Sequence, residues 1–299
     1  MGKKVLAVFY TQSGQLEDII DHFTQPLSDA GVSVEKLRVY PETDYPFPWT
    51  GKSFFAVMPD CVNQTPGPLQ PFSFKETSYD LIILGYQAWF LSPSIPANSI
   101  LNDPRFKAIA KNCPIITITG ARNMWISAME KIKPTLRNLG AKLVGNIALV
   151  DRHHNFVSFV TIFHWMFKGK KDRYLNIFPK PGVSDKDITD TKIFGDILVP
   201  HLQNGNWQGL QEDLVDARAA VVKYPLMFIE SKARKIFKVW AGIISKRKKK
   251  TAWLVAFKYY LLIALFIAAP IILTVDAIFF KPFLSGRIKR QKQYYSGVN

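Results

Sequence analysis

"VFYTQSGQLED", residues 8–18, sets a run of hydroxyl, amide and glycine residues between an apolar burst and the start of a helical pattern. If the burst is a strand, Thr11, Gln12, Ser13, Gly14 and Gln15 lie at its carboxyl end and at the amino end of the next helix. That is where open α/β sheets bind ligands. Amides at a helix start have no intrahelical acceptor, and the helix dipole favours an anion beside them. Thr11 and Ser13 add hydroxyl donors, and Gly14 lets a ligand approach the backbone. The stretch therefore reads as a phosphate cradle. The plain alternative is a helix capped by Ser13, with Gly14 as the turn residue.

Working outward, short apolar runs rich in β-branched residues recur at 5–10, 32–39, 81–84, 114–119 and 143–150. Helical patterns over 16–30, 96–111 and 126–139 fill most of the gaps. This alternation predicts an α/β fold: a five-stranded parallel sheet with helices on both faces. Five strands fit the flavodoxin-like order better than the six-stranded dinucleotide fold. One connection, 41–78, breaks the pattern with "PETDYPFPWTGK" and "NQTPGPLQPF". So long and proline-rich a link is either a lid over a site or a solvated insertion. Residues 156–167 are apolar nearly all round, which suits a helix that is buried or touches a membrane.

The net charge of +16 over 299 residues invites a nucleic-acid reading until its location is considered. Residues 231–299 carry fifteen Lys and Arg against the single acid Asp276, while 1–230 are nearly balanced. The same tail holds the longest apolar run, 259–275, about 25 Å long as a helix. Basic flanks around an apolar run mark a membrane partner with anionic lipid and speak against nucleic acid. Upstream, Ile229, Ala233, Ile236, Phe237, Trp240 and Ile244 recur at helical spacing, as in an interfacial amphipathic helix. Spanning and lying in the interface both remain open. The expected division is 1–195 as the α/β domain, 196–228 as a connecting helical segment and 229–299 as the helical membrane-associated tail. Cys61 and Cys113 form no C-x-x-C pair, so no metal site is expected.

Two further loops at strand ends share one design: "LGYQAWF" at 84–90 and "TGARNMW" at 119–125. Each sets Gly at the turn, then polar residues, then an aromatic. With the first loop they suit a flat conjugated ring on a phosphorylated tail. Alternatively Trp89 and Trp125 pack beneath neighbouring loops. The three loops resemble those of the flavodoxin family. The resemblance implies FMN as cofactor, with Thr11, Gln12, Ser13, Gly14 and Gln15 at its phosphate. Tyr86, Gln87, Ala88, Trp89, Gly120, Ala121, Arg122 and Asn123 would then surround its ring. The loop departs from the family at 15–16, where Thr is common.

A closer resemblance runs from about residue 4 to 195. "YTQSGQL", "YPFPW", "DLIILGYQAWFLSPSIPANSIL", "GARNMW" and "AKLVGNIALVDRHHN", followed by "HWMFKGKKDRY" and "FPKPGVS", are similar to the bacterial proteins named dialkylresorcinol condensing enzyme. That family belongs to dialkylresorcinol and flexirubin-type pigment pathways. A ketosynthase-like partner there joins two acyl chains into a cyclohexanedione. The resemblance implies that the present chain, which lacks a ketosynthase cysteine setting, oxidises that ring to a resorcinol. This aromatase step needs a hydride acceptor, which a flavin is, and a base. Asp151, Arg152, His153, His154, His164, Lys170, Lys171, Asp172 and Arg173 are candidates. His153 is first choice and His154 second, because imidazole titrates near neutral pH. A capping or surface role is the alternative for the pair, and His164 reads as a core residue. Arg122 could hold an oxyanion or the flavin edge, or form a loop salt bridge. The expected location is the cytoplasmic face of the inner membrane, and a homodimer is allowed for. The competing reading is an NAD(P)H-dependent FMN or quinone reductase; an electron carrier or scaffold ranks last.

Overall fold

The computed structural model describes residues 2–298. Its centre is a five-stranded parallel sheet. The strands are β1 (Lys4–Phe9), β2 (Ser33–Arg38), β3 (Leu81–Gly85), β4 (Pro114–Ala121) and β5 (Lys142–Val150). Their order, β2-β1-β3-β4-β5, is the flavodoxin-like one. Successive side chains of a strand point to opposite faces, and β1 shows both faces buried. Leu6, Val8 and Tyr10 enter one core with Ile82, Leu84 and Phe106. Val5, Ala7 and Phe9 enter the other with Ile19, Phe23 and Leu198. The edge strand β2 carries Glu35, Lys36 and Arg38, charges that discourage pairing with another chain.

The helices fall near their expected positions. Gln15–Asp29 follows β1, and Ile126–Asn138 follows β4. The expected helix over 96–111 is two, Ile95–Asn102 and Pro104–Ala110. Asp103 takes an extended backbone before Pro104 and caps the second helix through the amides of Arg105 and Phe106. The core also runs past residue 195. Leu198 and Leu202 of Lys192–Asn204, with Leu210 and Leu214 of Leu210–Asp216, are fully buried against the first helix and β5. The segment expected as a connector thus completes one face of the sheet.

After it, Tyr224–Ser245 crosses the other side of the domain. Thr251–Ser296 follows as one continuous helical run, apolar and long enough to cross a membrane. It is mostly exposed, with only 6% of its most apolar window buried.

Candidate functional site

The carboxyl ends of β1, β3 and β4 meet at one edge, so the loops quoted from the sequence become neighbours. The first loop is open toward ligands. Gly14 takes a left-handed backbone, φ 85°, and no side chain caps the helix it precedes. Ser13 is therefore not the cap of the plain alternative. Asp18 is the first residue whose amide turns back, to Gly14 O at 3.1 Å. The amides from Gln12 to Glu17 have no acceptor among the described residues. The Thr11 hydroxyl is buried and also lacks a partner. Buried donors are nearly always satisfied in folded proteins, so this cluster fits an external acceptor.

The amides are free, but two of the loop's side chains are engaged. Gln12 reaches the proline-rich connection: its amide nitrogen donates to Tyr45 O and Pro46 O at 3.3 Å, and its oxygen accepts from Trp49 Nε1 at 3.0 Å. Gln15 Oε1 accepts the amide of Val183 at 3.0 Å. Both therefore lace distant segments to the loop. The Gln12 side chain is engaged at both ends, whereas Gln15 Nε2 meets no acceptor among the described residues and Gln15 lines the cavity described next. Arg38, from the end of β2, donates to Thr11 O at 3.2 Å and pairs with Glu17 at 2.8 Å. It braces the loop from behind, a role the sequence pattern did not reveal.

Beside this loop lies a cavity of about 320 Å³. Its polar edge is built by Gln12, Ser13, Gln87 and the stretch Gly120, Ala121, Arg122 and Asn123. Gln87 Oε1 is buried there, has no partner among the described residues and is free to accept an N–H. The rest is apolar. Phe47, Trp49 and Phe54 come from the proline-rich connection, so that segment is a wall of the cavity and not a solvated insertion. Phe159, Ile162, Phe163 and Met166 come from the helix Asn155–Lys168. Leu261 and Leu265 come from the tail. Trp89 lines the cavity and is also gripped edge-on by Tyr10, Tyr45 and Trp49. Trp125, by contrast, is buried in the core.

Among the described residues lining the cavity, Arg122 has the one ionisable side chain. It donates to Asn155 O at 3.3 Å and sits 5.7 Å from the centre of the Phe159 ring. Burial lowers its pKa to about 10, against the opposing pull of Asp151. It remains cationic at neutral pH. Asn123 Nδ2 donates to Asn155 Oδ1 at 2.6 Å, tying the same loop to the same helix.

Several sequence expectations meet a different placement. Tyr86 is fully buried in the core and offers the cavity no side chain. Thr11 and Gly14 lie behind the lining, while Ala88 is part of it. His153 and His154 are exposed and do not line the cavity. His154 is the N-cap of Asn155–Lys168, its Nδ1 accepting the Phe156 amide at 3.4 Å. The His153 amide donates to Asp151. The chain turns outward at this point because Asp151 itself is buried, holding Ser158 Oγ at 2.8 Å. His164 pairs with Asp172 at 2.8 Å, away from the lining. No group of three metal-ligating side chains occurs among the described residues.

No protein-family model and no curated protein matches the chain. Solved structures do resemble its α/β part. A flavoprotein from Lactobacillus acidophilus NCFM, solved in complex with FMN, is 16% identical with a TM-score of 0.41, covering 49% of this chain and 93% of its own. A flavodoxin from the domain Archaea is 12% identical with a TM-score of 0.37, covering 67% of this chain and 99% of its own. A flavone reductase is 9% identical with a TM-score of 0.36, covering 67% and 63%. These likenesses concern the fold alone. The assignment to the flavodoxin-like class stands on the strand order.

Proposed function

We propose that this chain is an FMN-dependent oxidoreductase that aromatises a dialkyl-cyclohexane-1,3-dione to a dialkylresorcinol at the cytoplasmic face of the inner membrane. The observation that carries the reading is the pairing of a cradle of unengaged amides with a cavity that is polar on that side and greasy on the other. The amides from Gln12 to Glu17 and the Thr11 hydroxyl fit a phosphate. Gln87, Trp89 and the stretch from Gly120 to Asn123 fit the edge and face of a flat ring with N–H donors and carbonyl acceptors.

FMN, when bound, supplies acceptance of a hydride. The remaining work falls to the chain's own residues. A 1,3-dione enolises readily in water, and Arg122, on the polar edge of the cavity, would hold the enolate oxygen. Overall the dione would lose one proton, given up to solvent on forming the enolate, and one hydride, for which the flavin would be the acceptor. Tautomerisation of the resulting cyclohexenedione gives the resorcinol. Phe54, Phe159, Phe163 and Leu261 offer the acyl chains apolar contacts and keep water from the ring. The histidine pair has no assigned step. The ketosynthase-like supplier of the dione belongs to the same proposal.

The test is an anaerobic absorbance titration of detergent-purified protein with a 2,5-dialkylcyclohexane-1,3-dione. Bleaching of the flavin without nicotinamide, with resorcinol formed, is expected. Bleaching that requires NAD(P)H would favour the reductase reading instead.

A further inference from the structure

We infer that the apolar tail helix lies flat in the surface of an anionic bilayer and does not span it. The inference goes beyond the reaction proposed above and does not depend on it.

Residues 251–280 run antiparallel to the helix Tyr224–Ser245. At one end Phe257 packs on Phe237 and Trp240, with ring centroids 5.2 and 5.7 Å apart. At the other, Tyr224 donates to the buried carboxylate of Asp276 at 2.8 Å. The partner helix is itself seated on the α/β domain. Tyr224 and Met227 enter the sheet core, and Phe237, Ala241 and Ile244 pack with Phe55 and Met58. Beyond the short 3-10 segment Lys281–Leu284 of the same helical run, the chain docks again. Tyr294 donates to Glu130 at 3.1 Å, and Gln211 donates to the Ser296 carbonyl at 2.6 Å. The apolar helix is thus held by one domain near its start, near residue 276 and after its end. Crossing a bilayer would strip the contacts at one of these ends. It would otherwise have to carry along a partner helix that bears Lys232, Arg234, Lys235 and Lys238.

The outer side of the same helix is a largely exposed apolar stripe. Tyr259, Ile263, Ile267, Ile271, Ile278 and Phe279 are each more than half exposed, and Phe283 is 86% exposed. A contiguous apolar face of this kind marks an interaction site. Its occupant follows from its borders. Lys246–Lys250 lie before it, and Lys281, Arg287, Lys289, Arg290 and Lys292 lie after it. Basic residues at both ends remove the asymmetry that orients a spanning helix. They suit a helix whose two ends rest among acidic headgroups. Leu261 and Leu265, on the inner side, line the cavity, so the helix separates the bilayer from the site.

Two measurements on the full chain test this. In the first, Lys249→Cys and Arg290→Cys variants in membranes of producing cells are treated with a membrane-impermeant maleimide, on right-side-out and inside-out vesicles. Cys61 and Cys113 are buried and stay silent. Both introduced thiols should label in the same vesicle orientation; labelling in opposite orientations would establish a span and overturn the inference. In the second, purified protein is sedimented with phosphatidylcholine vesicles with or without phosphatidylglycerol. Binding should require phosphatidylglycerol and fall at least tenfold in the double variant Ile271→Glu and Phe279→Glu, with its near-ultraviolet circular dichroism unchanged. Equal binding by the double variant, binding indifferent to phosphatidylglycerol, or a lipid-free dimer that does not sediment would each overturn it.

Discussion

Gln15 Oε1 and the amide of Val183 meet at 3.0 Å across 168 residues of chain. That bond joins the start of the first helix to a segment far beyond the sheet. Gly182 makes the approach possible. Its φ is +81°, and a Cβ there would lie 2.6 Å from Gln15 Oε1 and 2.8 Å from the Trp165 ring. Gly182→Ala is therefore expected to cost more than the ~1 kcal/mol of a left-handed backbone alone. Gly205→Ala, at φ +65° with nothing within 4 Å, should cost about that backbone term. Thermal unfolding of both variants in detergent checks the difference; equal losses would remove the packing argument.

The bond from Trp49 to Gln12 holds the proline-rich wall against the first loop. Trp49→Phe keeps most of the apolar surface and removes that bond, at about 1 kcal/mol. Limited proteolysis should then cut residues 41–78 faster, while the sheet survives. An unchanged cleavage rate would show that the wall is held by its aromatic packing alone.

Glu230 sets a pH dependence. Its carboxyl caps the helix Ile126–Asn138 through the Ser127 amide at 2.6 Å, but Oε2 is buried without a partner among the described residues. Burial raises its pKa to about 7. A carboxyl whose folded pKa exceeds its unfolded value binds its proton more tightly when folded. Stability should thus fall as pH rises from about 4.5 to about 7 and then level off. Glu230→Gln should flatten that slope and raise stability above pH 7 by on the order of 2 kcal/mol. Melting temperatures at pH 5 and pH 8 decide it.

Arg122 separates two roles through paired variants. Arg122→Ala should lower kcat/KM for an enolisable dione by roughly 100-fold, the order seen on removing an oxyanion donor. Arg122→Lys should restore part of it, since the charge returns without the fork. His153→Ala, on the exposed turn, should leave turnover near wild type. Steady-state kinetics on the three variants would contradict this assignment if only the histidine mattered.

The inner strands were legible because they are short apolar runs separated by helical periodicity and buried on both faces, which leaves few alternatives. The half-exposed edge strand β2 showed through Val34 and its flanking Val32 and Val39. The three loops could be placed from Gly at each strand end. Their side-chain roles could not, because Gln12 and Gln15 bond to residues more than thirty positions away, Tyr45, Trp49 and Val183. The histidine pair shows the same limit. Local chemistry suggested a base, whereas the buried Asp151 beside it turns the chain outward. The apolar wall escaped notice because Phe159, Phe163 and Leu261 look like any core or membrane residues until the fold brings them to one cavity.

The central claim is that the amides after β1 hold a phosphate attached to a flavin. Fluorescence titration of flavin-free full-length protein with FMN and with riboflavin tests it most directly. FMN should bind at least roughly tenfold tighter, a difference of about 1.4 kcal/mol, and inorganic phosphate should weaken FMN alone. Equal affinities for the two flavins, untouched by phosphate, would contradict the account.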